Sequence, residues 1–371
     1  MSVTDVEAVP VRVDVQPRDE GLGLAPYVSN HDEVEAVTRM LVRVDTDSGV
    51  TGWGEMLVAM QSARVTKAVV EDVIAPELVG RDVSEIRPFV EEFYYPYATV
   101  RPFLGAVETA LWDALGKQLG APVHELLGGK TRDEIPIAHC LGILGPEESR
   151  EFVRRAYDAG FRTLKTKAGH DWRTDVERLV AMHDEVDGDM EFRIDPNQGW
   201  TTEDAVRVAA RLEDEGVYLQ YLEQPVRIDS PGTYRRLRQR LRTPIAVNED
   251  AYFPYNLYHL LKADAIDVGV VDLVPAGGIL RVREQAAAAS AAGVSLSHHC
   301  GFDLGVKTAA VLHTVAATPA INLAPDSVYY AWDDYVVHSP PDASTGSIAV
   351  PDDPGLGVDV DEAKVEAYRV D

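Results

Sequence analysis

Residues 190–197 read Met190-Glu191-Phe192-Arg193-Ile194-Asp195-Pro196-Asn197. A short run of strand-forming residues ends on an aspartate. The proline that follows has no N–H to give to a sheet, so it stops the strand and leaves the carboxylate at its end. The pattern recurs downstream, where Val217-Tyr218-Leu219-Gln220-Tyr221-Leu222 ends on Glu223 and Pro244-Ile245-Ala246-Val247-Asn248 ends on Glu249. The acids are 28 and 26 residues apart, which is the length of one strand, one helix and two loops. In a (β/α)₈ barrel such strand ends converge on the C-terminal rim, where active sites sit. Three carboxylates meeting there repel one another unless a cation holds them, and an all-oxygen set favours a hard divalent ion, Mg²⁺ first. Asp195, Glu223 and Glu249 are therefore the expected metal ligands.

The surrounding chain has the periodicity that this reading needs. Thr163-Leu164-Lys165-Thr166-Lys167 predicts a strand before a helix over about 173–186. Helices are expected from near residue 201 and over about 231–241, 254–263, 278–292 and 303–317. Between them, Asp267–Asp272 and Val294–Ser297 predict strands, and Ile321-Asn322-Leu323 is the candidate last strand. Repeated βα units favour a parallel sheet, and their number favours a closed barrel. Upstream, Thr38–Asp45 and Thr51–Glu55 flank Asp47-Ser48-Gly49 as a hairpin, and residues 62–119 are helical in pattern. Residues 16–32, with Pro17, Gly21, Gly23 and Pro26, predict a mobile loop. The expected fold is α/β: a modified (β/α)₈ TIM barrel over 131–344 with an N-terminal α+β capping domain over 1–130, completed by about 345–371.

Several side chains in this frame could move protons. Lys165 and Lys167 lie on the same side of a strand because side chains alternate with period two. Adjacent ammonium groups disfavour each other's charge, which predicts a lysine whose pKa is lowered toward that of a base. Asp272 ends the sixth candidate strand and His298-His299 follow the seventh. An aspartate beside a histidine fixes its tautomer and raises its pKa, giving a general acid or base. Gly277-Gly278 lacks a phosphate-loop context and predicts a tight βα turn. No His-x-His follows the first strand, against a zinc amidohydrolase. Tyr329, Tyr330 and Trp332 are expected to be packing residues near the barrel mouth.

Composition narrows the partners. The net charge of −26, from 61 acidic and 35 basic residues, is the opposite of what nucleic-acid binding requires. Only eight residues are lysine, and the acid is scattered along the chain. That pattern fits a salt-adapted surface, with a merely acidic enzyme as the plainer alternative. No apolar run approaches the roughly 20 residues that span a bilayer. The first residues predict no secretory leader, and two distant cysteines, Cys140 and Cys300, predict a reduced cytoplasmic protein with no disulfide scaffold.

At these residues the chain resembles the enolase superfamily, in particular the mandelate racemase/muconate lactonizing enzyme group. The resemblance rests on Gly52-Trp53-Gly54-Glu55, Ala110-Leu111-Trp112-Asp113, Leu126-Leu127-Gly128-Gly129, the Lys-Thr-Lys strand, Asp195-x-Asn197-x-x-Trp200, Leu222-Glu223-Gln224-Pro225, Gly277-Gly278 and Pro354-Gly355-Leu356-Gly357. It implies a capping domain over the barrel, one Mg²⁺, removal of a proton α to a carboxylate, a small-molecule carboxylate substrate and a homo-oligomer. The muconate-cycloisomerase-like branch has a lysine five residues before the glycine pair, where Asp272 stands here. Asp272, His299 and Glu249 match the mandelate-racemase-like branch. That branch implies Lys165, Lys167, Asp272 and His299 as the catalytic set, with Asn197 and His298 toward the substrate. The racemase's glutamate after the eighth strand has a counterpart displaced by one residue, Asp326, and the resemblance leaves the role of Asp326 open. Dehydration of a sugar acid or related hydroxy acid is the expected reaction. Racemisation, epimerisation or cycloisomerisation of another carboxylate is the alternative, and a non-catalytic metal-binding barrel is a distant one. The loops over about 16–32 and 52–60 are expected to set the substrate.

Overall fold

A computed structural model describes residues 1–58, 61–93, 100–227 and 230–370. Ala59 and Met60 of the second expected capping loop, and 94–99 within the expected helical region, lie outside the described residues.

The N-terminal part opens with a three-stranded antiparallel sheet, Val3–Asp14, Ala36–Thr46 and Thr51–Leu57, in sequence order. The predicted hairpin forms, with Asp45 opposite Thr51 and Gly49 at φ 78° in the turn. Helix Arg101–Leu119 packs across the third strand. Its approach explains the glycines of Gly52-Trp53-Gly54: a Cβ at 52 or 54 would lie 2.1 Å from the Ala110 carbonyl oxygen or 1.9 Å from that of Ala106. The buried Asp113 joins three distant motifs. It accepts the N–H groups of Trp53 (2.9 Å) and Leu356 (2.8 Å) and pairs with Lys117.

The second part is an eight-stranded parallel sheet that nearly closes on itself. Its strands, in order round the barrel, are Ala138–Leu141, Thr163–Lys167, Glu191–Asp195, Tyr221–Glu223, Ile245–Val247, Val268–Val271, Ser295–His298 and Asp326–Ser327. Asp326 and Ser327 pair with Ala138 and His139 of the first strand. The expected last strand, Ile321–Leu323, instead bonds the seventh strand, through one bridge from Ile321 to Leu296 and the bond from Leu323 N–H to the Leu296 carbonyl. Pro325 stands between the two pieces. It has no N–H to donate, but its carbonyl accepts the Ala138 N–H at 2.9 Å, so the eighth stave bonds the seventh strand before Pro325 and the first from Pro325 onward.

Two buried carboxylates of the capping domain hold the N-termini of barrel helices. Glu108 accepts the N–H groups of Ile279 (2.7 Å) and Leu280 (3.0 Å) at the start of helix Ile279–Ala291. Glu55 accepts those of Leu304 (2.7 Å) and Lys307 (2.9 Å) at the start of helix Val306–Ala316. Unpaired N–H groups and the positive end of the helix dipole both favour an anion there. The Gly277-Gly278 turn has both φ angles positive, and a Cβ on Gly278 would strike Glu108 Oε2 at 2.3 Å.

The 16–32 segment, expected as a mobile loop, is fastened by backbone bonds from Leu24 to Gln16, from Arg18 to Ala25 and from Ile143 to Val28. Asn30 lies against Gly169 and Gly199, beyond the second and third strands, and Tyr27 packs edge-on against Phe302 at 5.1 Å. The segment therefore covers the barrel mouth. The chain's end returns as well: Ser347–Ala349 pairs with Glu134–Pro136, and Tyr368 and Val370 bond the first strand.

Candidate active site

Period-two alternation in the second and third strands turns Lys165, Lys167, Arg193 and Asp195 to one side and Leu164, Phe192 and Ile194 into the hydrophobic core. Lys167 lies opposite Asp195 in the ladder. Its Nζ is 2.6 Å from Asp195 Oδ2, and the side chain is 12% exposed. The deeper Lys165 reaches Glu223 Oε1 at 2.6 Å, Asp326 Oδ2 at 2.8 Å and Asp195 Oδ2 at 3.3 Å. The expected mutual lowering of a lysine pKa does not describe Lys165. Burial opposes its charge, but Asp326, Glu223 and Asp195 outweigh burial and hold it well above the ordinary lysine range. Burial pushes Glu223 up to about 8 despite the nearby ammonium. For Asp195 burial is outweighed by the two lysines, which keep it ionised below its usual range.

Glu249 lies just past the fifth strand, at the first position of a single 3₁₀ turn. Its Oε1 accepts the Gln198 side-chain amide at 2.9 Å. The preceding Asn248 is fully engaged with protein: it donates to the Val270 carbonyl at 3.0 Å and accepts the Tyr252 hydroxyl at 2.9 Å. Asn197 follows Asp195 at φ 44°, and its N–H bonds Asp195 Oδ1 at 2.8 Å.

The acids can be tested against a bound cation on their own oxygens. Among the described residues no three carboxyl, imidazole or thiol groups close into a cage. The ammonium groups take Asp195 Oδ2 and Glu223 Oε1, and an amide takes Glu249 Oε1. Glu223 Oε2 and Glu249 Oε2 are buried without a partner. Orphaned buried carboxylate oxygens are costly. A hard cation would satisfy buried carboxylate oxygens of this kind, so the chemistry of the donor set fits Mg²⁺.

Farther round the rim, Asp272 caps the short helix Leu273–Ala276, its Oδ1 accepting Val274 N–H at 3.0 Å. Its Oδ2 accepts His299 Nδ1–H at 3.0 Å, which leaves Nε2 as the available nitrogen. Burial disfavours charge on Asp272, but Lys307 and His299 outweigh it and hold the carboxylate ionised. His298 departs from its expected substrate-binding role. It is fully buried, its Nδ1–H donates to the His299 carbonyl at 2.7 Å, and its Nε2 accepts Leu273 N–H at 3.1 Å. Both ring nitrogens are committed to backbone, and burial lowers its pKa to about 4.

Comparison with known proteins settles the family. The family model described as "Enolase C-terminal domain-like" matches residues 148–364. The "Mandelate racemase / muconate lactonizing enzyme, N-terminal domain" matches 12–128. The chain belongs to the enolase superfamily. Within it, the chain is a member of the mandelate racemase/muconate lactonizing enzyme family, and it is an enzyme. Muconate cycloisomerase 1 of Rhodococcus opacus is 30% identical over 338 residues, covering 89% of this chain and 90% of the relative. Arabinonate dehydratase of Saccharolobus solfataricus is 28% identical, with 88% and 89% covered. A crystal structure of an isomerase from Streptomyces coelicolor A3(2) is 31% identical, covers 99% of this chain and 98% of its own, and superposes with a TM-score of 0.83. Other relatives are named as epimerases and a racemase, so the relatives span several reactions.

In this enolase-superfamily site several participants were not singled out from sequence. Arg193 clamps Asp326 Oδ1 at 3.2 Å beneath the lysines, with its guanidinium over the Tyr221 ring at 4.7 Å. Lys307 joins Asp272, and Arg39 and Asp303 stand behind it. A signal existed for Lys307: it is one of eight lysines and stands in a helix that holds no Asp, Glu or Arg.

Proposed function

We propose that the chain removes the proton α to a carboxylate and eliminates water from a sugar acid or related hydroxy acid. The observation that carries this reading is the placement of two proton-transfer groups on one rim. Lys167 ends the second strand beside Asp195, and His299 follows the seventh, bonded to Asp272. The first and eighth strands separate them one way round the barrel, and the third to sixth the other. A substrate held between them meets a base on one side and an acid on the other.

Asp195, Glu223 and Glu249 would hold the Mg²⁺, which when bound supplies Lewis-acid stabilisation of the negative charge that grows on the substrate carboxylate. Lys167 takes the α-proton. Lys165, kept charged by three carboxylates, adds fixed positive charge beside the enediolate that proton loss creates. His299 gives its proton to the departing β-hydroxyl, and Asp272 holds the ring and stabilises the imidazolium form. The capping segment over the mouth, through Tyr27 and Asn30, shapes the distal end of the pocket. His299 could equally return a proton to the α-carbon. That second reading, epimerisation or racemisation, draws support from relatives named as an epimerase and a racemase.

The test is a library of acid sugars and other α-protonated carboxylates in D₂O with Mg²⁺. Dehydration is read as loss of water to a keto acid, and epimerisation as deuterium incorporation with inversion. Absence of α-exchange across the library would sink the catalytic reading, and inversion without water loss would select the second.

A further inference from the structure

We propose that Lys307 is a positioning residue for the Asp272–His299 pair, and that it ties this pair to the capping sheet through a buried chain of alternating charges. The inference rests on the proposed role of His299 as a proton-transfer group.

Lys307 lies in the first turn of helix Val306–Ala316 and is 2% exposed. Its Nζ is 3.0 Å from Asp272 Oδ2, the same oxygen that accepts His299 Nδ1–H at 3.0 Å. Asp272 Oδ1 is already taken by Val274 N–H. One carboxylate oxygen thus serves both the imidazole and the ammonium. Beyond Lys307 the charges alternate: Asp303 Oδ1 at 3.2 Å, then Arg39 Nη2 at 2.8 Å from that same oxygen, then Glu55 Oε1 at 3.0 Å from Arg39 Nε. Glu55 closes the circuit by accepting the backbone N–H of Lys307 itself. Arg39 and Glu55 belong to adjacent strands of the capping sheet.

The consequences are geometric and electrostatic. The ammonium fixes the rotation of the Asp272 carboxylate, and with it the imidazole plane. It also offsets the carboxylate's charge, so the imidazolium is stabilised less than by an aspartate alone. The other titratable groups around His299 are Cys300 and Asp303, Asp326 at the start of the neighbouring eighth strand, His298 beside it and the Tyr252 ring, centred 6.1 Å away. None of these contributes a permanent positive charge, so among these groups that contribution falls to Lys307.

The test is NMR titration of the His299 ring in the full-length protein, with and without Mg²⁺, using His299→Gln to assign the resonance. In Lys307→Met the midpoint is expected to rise by about one pH unit or more, and Lys307→Arg is expected to bring it most of the way back. An unmoved midpoint in folded Lys307→Met overturns the proposal. Should that variant not fold, Asp303→Asn/Lys307→Met removes a facing carboxylate together with the ammonium. A midpoint higher than that of Asp303→Asn alone supports the proposal, and one equal to it overturns it. The titration needs no substrate. Failure to find any turnover therefore counts against the proposed reaction alone.

Discussion

The Glu108 carboxylate, on the long helix of the capping domain, accepts the backbone N–H of Ile279 at 2.7 Å in the barrel. It does so across the junction between the two parts, at the start of the helix that follows the Gly277-Gly278 turn. A buried pair of N–H groups left without an acceptor costs about 1–3 kcal/mol for each unsatisfied group. Glu108→Ala is therefore expected to lower stability in chemical denaturation by about 2 kcal/mol or more. Gly278→Ala should be at least as damaging, because it adds a left-handed backbone penalty to a clash with the same carboxylate. Wild-type stability in either variant would remove the junction from the account.

In the proposed reaction Lys167 and His299 divide the proton transfer, so their variants should fail differently. Lys167→Ala is expected to lose α-proton exchange by about 10²–10⁴-fold, the usual contribution of a positioned acid or base. His299→Asn is expected to retain exchange on the lysine side while losing water elimination. Following deuterium incorporation and product formation in the same sample separates the two. Full exchange in Lys167→Ala would remove that lysine from the mechanism.

Mg²⁺ should stabilise the protein by mass action, raising Tm with metal concentration, and chelation should reverse the rise. Glu223→Gln or Glu249→Gln is expected to abolish most of the shift. The pH dependence has a definite sign. Burial pushes the Glu223 carboxyl up to about 8, so below that pH a proton competes for the site. Affinity should climb as pH rises toward 8 and level above it. Calorimetric titration at several pH values checks this, and a flat profile would contradict it.

Acid stability should be governed in part by buried histidines. His139, in the first barrel strand, is packed among Phe152, Phe161 and Tyr330, and burial lowers its pKa to about 3. The unfolded chain binds a proton near pH 6.5 that the folded ring refuses. The unfolded state therefore holds more protons between about 3 and 6.5, and stability falls as pH drops through that window. The contribution is several kcal/mol by linkage. His139→Phe should flatten the acid limb of a stability–pH curve, and an unchanged slope would assign the loss elsewhere.

Much of the barrel was legible in the chain. The strand-end acids Asp195, Glu223 and Glu249, the Lys-Thr-Lys strand and the glycine-bearing motifs are local features. Their spacing is set by one strand, one helix and their loops, so a parallel barrel and its family follow from one dimension. The last stave was not legible in this way. Ile321–Leu323 has the composition of a strand, but it bonds the seventh strand, while the ladder to the first falls to Asp326–Ser327.

His298 and His299 show the same division at the site. Sequence places both at the end of the seventh strand, and only the strand's register and the fold around it send one ring into the backbone and the other to Asp272. Lys165 and Lys167 were recognisable as an inward pair by period two alone. That Lys165 is held charged depends on Glu223 and Asp326, which are 58 and 161 residues away in the chain. Order along the chain dictates which chemical groups reach the rim and in what succession. Tertiary structure decided their charge states and partners, because electrostatic interactions depend on distance in space and on burial, and neither is a property of position along the chain.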